Sequence, residues 1–476
     1  MKFPIQLAGL SIAAILLQAC GPHRPDGQAV AVAPGTSVGS STDNSPSASG
    51  NDALLHLAQP KYESPYGIPQ EGDVKAVMDR VLNYLNEVTP ATTEDGKLHL
   101  GTFRLTSYEW GVTYAAMIDA SLATGDEAYL KYVSDRYELI ARLAPDMDSL
   151  IAANPRYDEQ MRRVLAPSAL DDAGAMATAL IRLQKTSRND SAAYMPLIRR
   201  YIDYVMNRQY RLGDGTFARQ RPHHNTVWLD DMYMGIPCLA YYGRFTGNFN
   251  YLNEAIRQVR LFRDKMWVSD KKLFRHGWVE DMTPHPSYHW GRANGWAILT
   301  LCEVLDMMSE ENPSRPEILA LLRSHIEGLC QLQDKTGFWH QLLDRPDTYL
   351  ETSCTAIYCY CIAHAINRGW VDPLAYGSNV LLAWNAVTTQ VNTLGQVEGT
   401  CVGTGMGFDP AFYAYRPVSH MAAHGYGPVI WAGAEVIQLL KSQHPKMNDS
   451  AVHLYKSEQK TREPIFSEDV ASGEIF

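Results

Sequence analysis

Residues 225–235 read Asn225-Thr226-Val227-Trp228-Leu229-Asp230-Asp231-Met232-Tyr233-Met234-Gly235. The paired aspartates stand between an aromatic residue and an apolar run, Met232 to Tyr242, of helical rather than strand length. They are therefore expected at a helix start. A carboxylate in that place either caps free backbone N–H groups or points into a cavity at the helix mouth.

The surrounding chain favours a cavity. From about Tyr62 to about Leu440, amphipathic segments of helical period follow one another, beginning near Val74, Tyr108, Ala128, Ser168, Ala192, Asp230, Tyr251, Arg292, Pro316, Glu351, Asp372 and Met421. They fall into about six pairs, and the second members begin roughly sixty residues apart, which is a repeat period. Two local signatures recur with it. Ala123-Thr124-Gly125-Asp126 before Tyr129-Leu130 returns as Phe245-Thr246-Gly247-Asn248 before Tyr251-Leu252, an offset of 122 (246 minus 124), with a weaker copy at Lys185-Thr186-Ser187. A turn closing on an aromatic residue appears at Asp214 to Phe217, Asp270 to Phe274 and Asp334 to Phe338, with the aromatics 57 (274 minus 217) and 64 (338 minus 274) apart.

A stack of helical hairpins either stays open as a solenoid or closes into a barrel of inner and outer helices. Long loops rich in Trp, His, Asp and Arg before the inner helices favour closure, because a solenoid does not need them. The expected fold class is thus all-α, with the barrel over residues 60–441.

Both ends read differently. Residues 1–19 have a basic start at Lys2 and an apolar core from Leu7 to Leu17, as in an export signal. Leu17-Gln18-Ala19-Cys20 resembles a bacterial lipobox, which makes Cys20 a lipid anchor and the chain an exported lipoprotein. Gly21-Pro22-His23-Arg24, without an acidic cluster, favours the periplasmic face. Residues 20–59, rich in Ser, Gly, Pro and Ala, read as a flexible tether, and 442–476 as a surface-hugging or disordered tail. The other seven cysteines form no CxxC pair and lie mostly in apolar runs, so buried free thiols are expected.

Of the 476 residues, 46% are hydrophobic, enough for a large core. Acidic residues outnumber basic ones 52 to 42, a net charge of −10 that argues against a nucleic-acid surface, and an anionic substrate would need locally concentrated positive charge.

If all inner helices start at one barrel end, their leading segments converge. These bring Tyr108-Glu109-Trp110, Asp171-Asp172, His223-His224, Trp228 to Asp231, His276-Gly277-Trp278, Trp290 to Trp296, Trp339-His340, Glu351, Gly403 to Gly407 and His424 to Gly427. Tryptophan faces stack on sugars, and paired carboxylates supply acid and base, so the set reads as a carbohydrate site. Each residue also has a plainer role: an aspartate can cap, His223 and His224 can bond within their loop, and Trp110, Trp228 and Trp290 can fill the interior. Arg292, in a Trp- and Gly-rich turn, calls for an anionic partner, either a substrate carboxylate or a neighbouring acid. No metal-ligand spacing, P-loop or dinucleotide fingerprint appears, so neither metal nor cofactor is expected.

Trp228 to Met234, His276-Gly277-Trp278 and Trp290-Gly291-Arg292-Ala293-Asn294-Gly295-Trp296-Ala297 together resemble the unsaturated glucuronyl and rhamnogalacturonyl hydrolases of glycoside hydrolase families 88 and 105. The order of segments is closer to family 105, and the similarity spans about Tyr62 to Leu440. The resemblance implies an (α/α)6 barrel, Asp230 and Asp172 as the catalytic aspartates, and substrate contacts from Tyr108, His276, Arg292 and Trp296. Trp110, Trp290, His224 and Asp231 complete the expected substrate-binding set. The implied substrate is a lyase-generated oligosaccharide ending in a 4,5-unsaturated uronate, removed by hydration of the C4=C5 bond with Asp230 as acid. Burial and the like charge of Asp172 are expected to raise the pKa of Asp230. The alternatives left open are a glycosidase or lyase acting on an intact glycosidic bond and a glycan-binding lipoprotein without catalysis.

Overall fold

The computed structural model describes residues 66–186, 192–447 and 452–455. The expected export signal, Cys20, the tether and most of the tail lie outside the described residues.

Outer and inner helices differ in sequence texture. The first helix, α1 (Glu71–Val88), buries Val74, Val77, Met78, Val81, Leu82 and Leu85, the three-and-four spacing of a helix with one apolar face. By contrast α2 (Tyr108–Thr124) is buried nearly all round, as a helix at the centre of a large protein must be. The chain continues through α3 (Glu127–Ala153), α4 (Glu159–Leu165), α5 (Leu170–Thr186), α6 (Tyr194–Asp203), α7 (Asp231–Thr246) and α8 (Phe249–Met266). It ends through α9 (Gly291–Met307), α10 (Arg315–Cys330), α11 (Thr352–Asn367), α12 (Pro373–Thr388), α13 (Pro410–Ala414) and α14 (Tyr426–Ser442).

Helices α2, α5, α7, α9, α11 and α14 pack each against the next, and α14 returns to α2. Around this closed ring α3, α6, α8, α10, α12 and α1 cover α2, α5, α7, α9, α11 and α14 respectively. The architecture is the (α/α)6 barrel.

The recurrent signatures are its turns. Gly125 and Gly247 end α2 and α7 in left-handed conformation, at φ 74° and 73°, and the next residue in each case caps the outer helix. Asp126 accepts from the Ala128 N–H and Asn248 from the Asn250 N–H. The weaker copy at Lys185-Thr186-Ser187 runs out of the described residues at its third position. In the return turns, Asp214 and Asp334 each bind the backbone N–H and the hydroxyl of the threonine two residues on, Thr216 and Thr336. Phe217 and Phe338 then enter the core fully buried.

Close approach of inner helices is what lets their leading segments converge. A Cβ on Gly174 would lie 1.7 Å from the Met234 carbonyl oxygen of α7, one on Gly111 2.5 Å from the Ala175 backbone, and one on Gly427 2.9 Å from the Thr113 Cα. The last inner helix begins at Tyr426 rather than near Met421, because a short 3-10 turn at Ala423–Gly425 precedes it. Also unanticipated are α4, α13 and several two- or three-residue antiparallel strand pairs, all too short to carry a periodic signal. Past α14 the chain folds back: Lys446–Met447 pairs with Val452–His453, and Leu454 is buried against Gly377 of α12. All seven cysteines from Cys238 onward are free thiols, and only Cys330 is not fully buried.

Gly174→Ala is expected to destabilise the protein by about 3 kcal/mol or more, since α5 and α7 must part. Gly72→Ala, with nothing within 4 Å, should change stability by about 1 kcal/mol at most. Urea unfolding of the two variants checks this; equal midpoints would contradict it.

Candidate active site

The opening stretch is held by a strand pair. Thr226–Trp228 runs antiparallel to Gly277–Val279, with Trp228 opposite Gly277, and the Leu229 N–H bonds to the His276 carbonyl at 2.9 Å. This fixes Asp230 and His276 side by side: His276 Nε2 lies 2.9 Å from Asp230 Oδ2. The other ring nitrogen, Nδ1, is 2.6 Å from the Tyr413 hydroxyl, which itself accepts from the Gly407 N–H at 2.9 Å. Nε2–H donates to the acceptor-only Asp230 carboxylate, while Nδ1 is engaged by the Tyr413 hydroxyl. Asp230 occupies the N-cap position of α7 yet makes no capping bond.

Its neighbour is treated differently. Asp231 has no solvent exposure, and Arg219 grips it in a fork, Nε to Oδ2 at 2.9 Å and Nη2 to Oδ1 at 2.6 Å. The same guanidinium makes a second fork on Asp171, at 3.0 and 2.8 Å. One arginine therefore ties the starts of α5 and α7 together. Burial, together with the charges of Asp171 and Asp230, holds the Asp231 carboxyl above its ordinary range despite Arg219.

Between these parts lies a cavity of about 240 Å³, lined by Tyr108, Asp171, Arg219, Arg221, Trp228, Asp230, Met234 and the loop Gly403–Gly405. The Trp228 ring carries the guanidinium carbons of Arg219 and Arg221 at 4.5 and 4.8 Å from its centroid. The Tyr108 hydroxyl is 2.6 Å from His424 Nε2. Burial and the nearby Arg292 push His424 well below the usual imidazole range, so it is neutral and accepts from Tyr108. A hollow of about 600 Å³ adjoins this cavity and shares Arg219 and Arg221 with it, whereas one of about 840 Å³ between α10 and α12 holds none of this chemistry.

Several expected site residues fall outside the cavity. Asp172 is 2% exposed and is bound by Arg162 Nη1 at 3.0 Å, Arg163 Nη1 at 2.7 Å and the Ser168 N–H at 3.0 Å. Asp171 of that pair is the one that lines the cavity together with Asp230. Trp110 is a core residue, stacked on Phe103 with its N–H on the Tyr132 hydroxyl. Trp296 stacks on Tyr233 inside the barrel. Trp290 packs 4.7 Å from His276 and bonds Gln341, supporting the site without lining it. His224 is exposed and bound to Gln220. Arg292 is 1% exposed and donates to the carbonyls of Cys401 and Val402 at 2.7 and 2.8 Å, with Glu351 3.8 Å away.

The expected upward shift of Asp230 is also overturned. Burial does act to raise it, but His276 and Arg219 outweigh burial and hold the carboxyl below its ordinary range. Arg219, Arg221 and Tyr413 went unrecognised as site residues. The first two were detectable as the basic residues of Ala218-Arg219-Gln220-Arg221, just before the histidine pair. Tyr413, on a five-residue helix, carried no such signal.

Known proteins share this arrangement of helices. An unsaturated rhamnogalacturonyl hydrolase of Bacillus subtilis, YesR, is 26% identical over 343 residues, 70% of this chain and 91% of the relative. The crystal structure of a possible member of the GH105 family from Salmonella enterica superposes with a TM-score of 0.65 at 24% identity, covering 78% of this chain and 96% of the other. That of an unsaturated glucuronyl hydrolase from Bacillus sp. GL1 gives 0.54 at 12% identity, over 76% and 96%, and both likenesses concern the fold. Residues 74–440 match the sequence family Glycosyl Hydrolase Family 88, and since this is most of its length, the chain belongs to that family.

Proposed function

We propose that the protein removes a terminal 4,5-unsaturated uronate from lyase-generated oligosaccharides, and that Asp230 delivers the proton that starts the reaction. The observation carrying this role is the Asp230–His276 pair: one carboxylate in the cavity that makes no capping bond and is not gripped by an arginine fork, with an imidazole N–H 2.9 Å away.

The substrate is an enol ether, in which ring oxygen O5 is attached to C5 of the C4=C5 bond. Protonation of C4 leaves positive charge shared between C5 and O5. Water adds at C5 and gives a hemiketal; cleavage of C5–O5 then yields a C5 ketone and a hemiacetal at C1, which collapses to an aldehyde and releases the next sugar with its own oxygen. Asp230 first donates a proton and then accepts one from the water. An intact glycosidic bond would instead need a second carboxylate placed to act as base or nucleophile. Asp171 is the only other carboxylate lining the cavity among the described residues, and both its oxygens are held by Arg219. A volume of about 240 Å³ suits one sugar residue rather than a length of chain.

The lowered pKa of Asp230 has a chemical reason. An incoming uronate brings a like charge that raises the affinity of Asp230 for a proton. The donor is thus charged by substrate arrival. In the lyase-derived setting we also propose export and lipid attachment at Cys20, with the barrel on the periplasmic side; the lipobox-like run supports this reading.

Asp230→Asn is expected to keep the fold and lower the rate at which the conjugated double bond's ultraviolet absorbance disappears by about 100-fold or more. An active variant would exclude the assignment. Because a lowered pKa leaves little protonated Asp230 at neutral pH, kcat/KM should rise as pH falls. His276→Gln removes the largest influence lowering that pKa, so the apparent pKa of the weaker residual activity should move upward. A pH–rate profile that shifts downward contradicts the pairing. Cys20→Ser should move the protein from the membrane fraction to the soluble one, as blotting of fractionated cells would show.

A further inference from the structure

The unsaturated uronate carries a carboxylate next to the reacting C5, and a site that binds it well supplies a cation there. Four arginines come into question around the cavity and its glycine loop. Arg219 spends four of its five N–H groups, and its charge, on its two forks to Asp171 and Asp231. Arg292, the residue that the Trp-Gly-Arg motif would nominate, is buried, with one Nη on the Cys401 carbonyl and the Ser353 hydroxyl and the other on the Val402 carbonyl. Behind it Glu351 supplies the counter-charge and also binds the Cys401 N–H at 2.8 Å. Arg292 and Glu351 thus brace the strip that leads into Gly403–Gly405. Arg416 is engaged by the Gly403 carbonyl and the Thr404 hydroxyl of the same loop.

Arg221 differs from all three. Its side chain is 64% exposed, its nearest carboxylate is Asp171 at 3.9 Å, and its guanidinium lies over Trp228 in the wall of the cavity. Stacking orients the planar group while leaving its edge N–H groups free for a bidentate partner. We propose that Arg221 binds the carboxylate of the unsaturated uronate and so selects the free acid over its ester, while Arg292 only shapes the loop opposite. The inference rests on the reaction proposed above. It places the specificity determinant just before the Trp228–Asp231 stretch, outside the Trp-Gly-Arg motif.

The test compares an unsaturated uronosyl disaccharide with its terminal methyl ester, using the full chain and its Arg221→Gln and Arg221→Lys variants. For Arg221→Gln, kcat/KM on the acid should fall roughly 10- to 100-fold and on the ester less than about threefold, with Arg221→Lys in between because it keeps the charge and loses the fork. Equal losses on both substrates, or none on the acid, would overturn the proposal. So would a loss that follows charge on the second sugar, since Arg221 also borders a neighbouring hollow of about 600 Å³. Calorimetric binding of the two disaccharides to Asp230→Asn, with and without Arg221→Gln, separates the inference from the reaction. Acid-selective binding that disappears with Arg221 supports it even if the wild type turns nothing over, and binding indifferent to Arg221 refutes it even if the wild type is active.

Discussion

Arg219 is shared between two carboxylates, and the site depends on that sharing. Its forks on Asp171 and Asp231 pin the first turns of α5 and α7, whose backbones meet at Gly174. Breaking a buried pair of this kind leaves an uncompensated charge, at a cost of about 3–5 kcal/mol. The arrangement also sorts the acids by role. Asp231 is locked, Asp171 is neutralised, and Asp230 faces His276 with no fork upon it. Two adjacent aspartates therefore divide the possibilities posed by their sequence, and neither serves as a conventional N-cap.

The barrel was legible because its constraints are periodic. Inner and outer helices alternate between all-round and one-sided apolar patterns, and the turns between them reuse the same chemistry at Gly125-Asp126 and Gly247-Asn248. Starts near Val74, Tyr108 and Asp230 lie within three residues of the observed ones, at Glu71, Tyr108 and Asp231. The final inner helix was placed too early because the apolar Met421-Ala422-Ala423 run sits in irregular chain and the 3-10 turn, not in the helix. Short elements such as α4 and α13 offer no period to read.

Individual site residues were less legible, since composition reveals which chemistry is near a helix mouth but not which way a side chain turns. Asp171 and Asp172 are equivalent in sequence, yet one residue of rotation sends the second outward to Arg162 and Arg163. Trp110 and Trp296 lie in the same inner helices as site segments but point into the barrel core. The pKa of Asp230 was misjudged for the same reason. The expectation counted burial and a like charge, whereas the groups that decide the sign, His276 and Arg219, reach it from other segments of the chain.

The central claim is that chemistry occurs at C4=C5 and not at the anomeric carbon. Turnover of an unsaturated disaccharide in 18O-labelled water, quenched early and read by mass spectrometry, tests it most directly. The account predicts that the label enters at C5 of the released uronate, as its ketone oxygen, while C1 and the departing sugar remain unlabelled and the double bond is lost. Label at C1 with the double bond intact would contradict it.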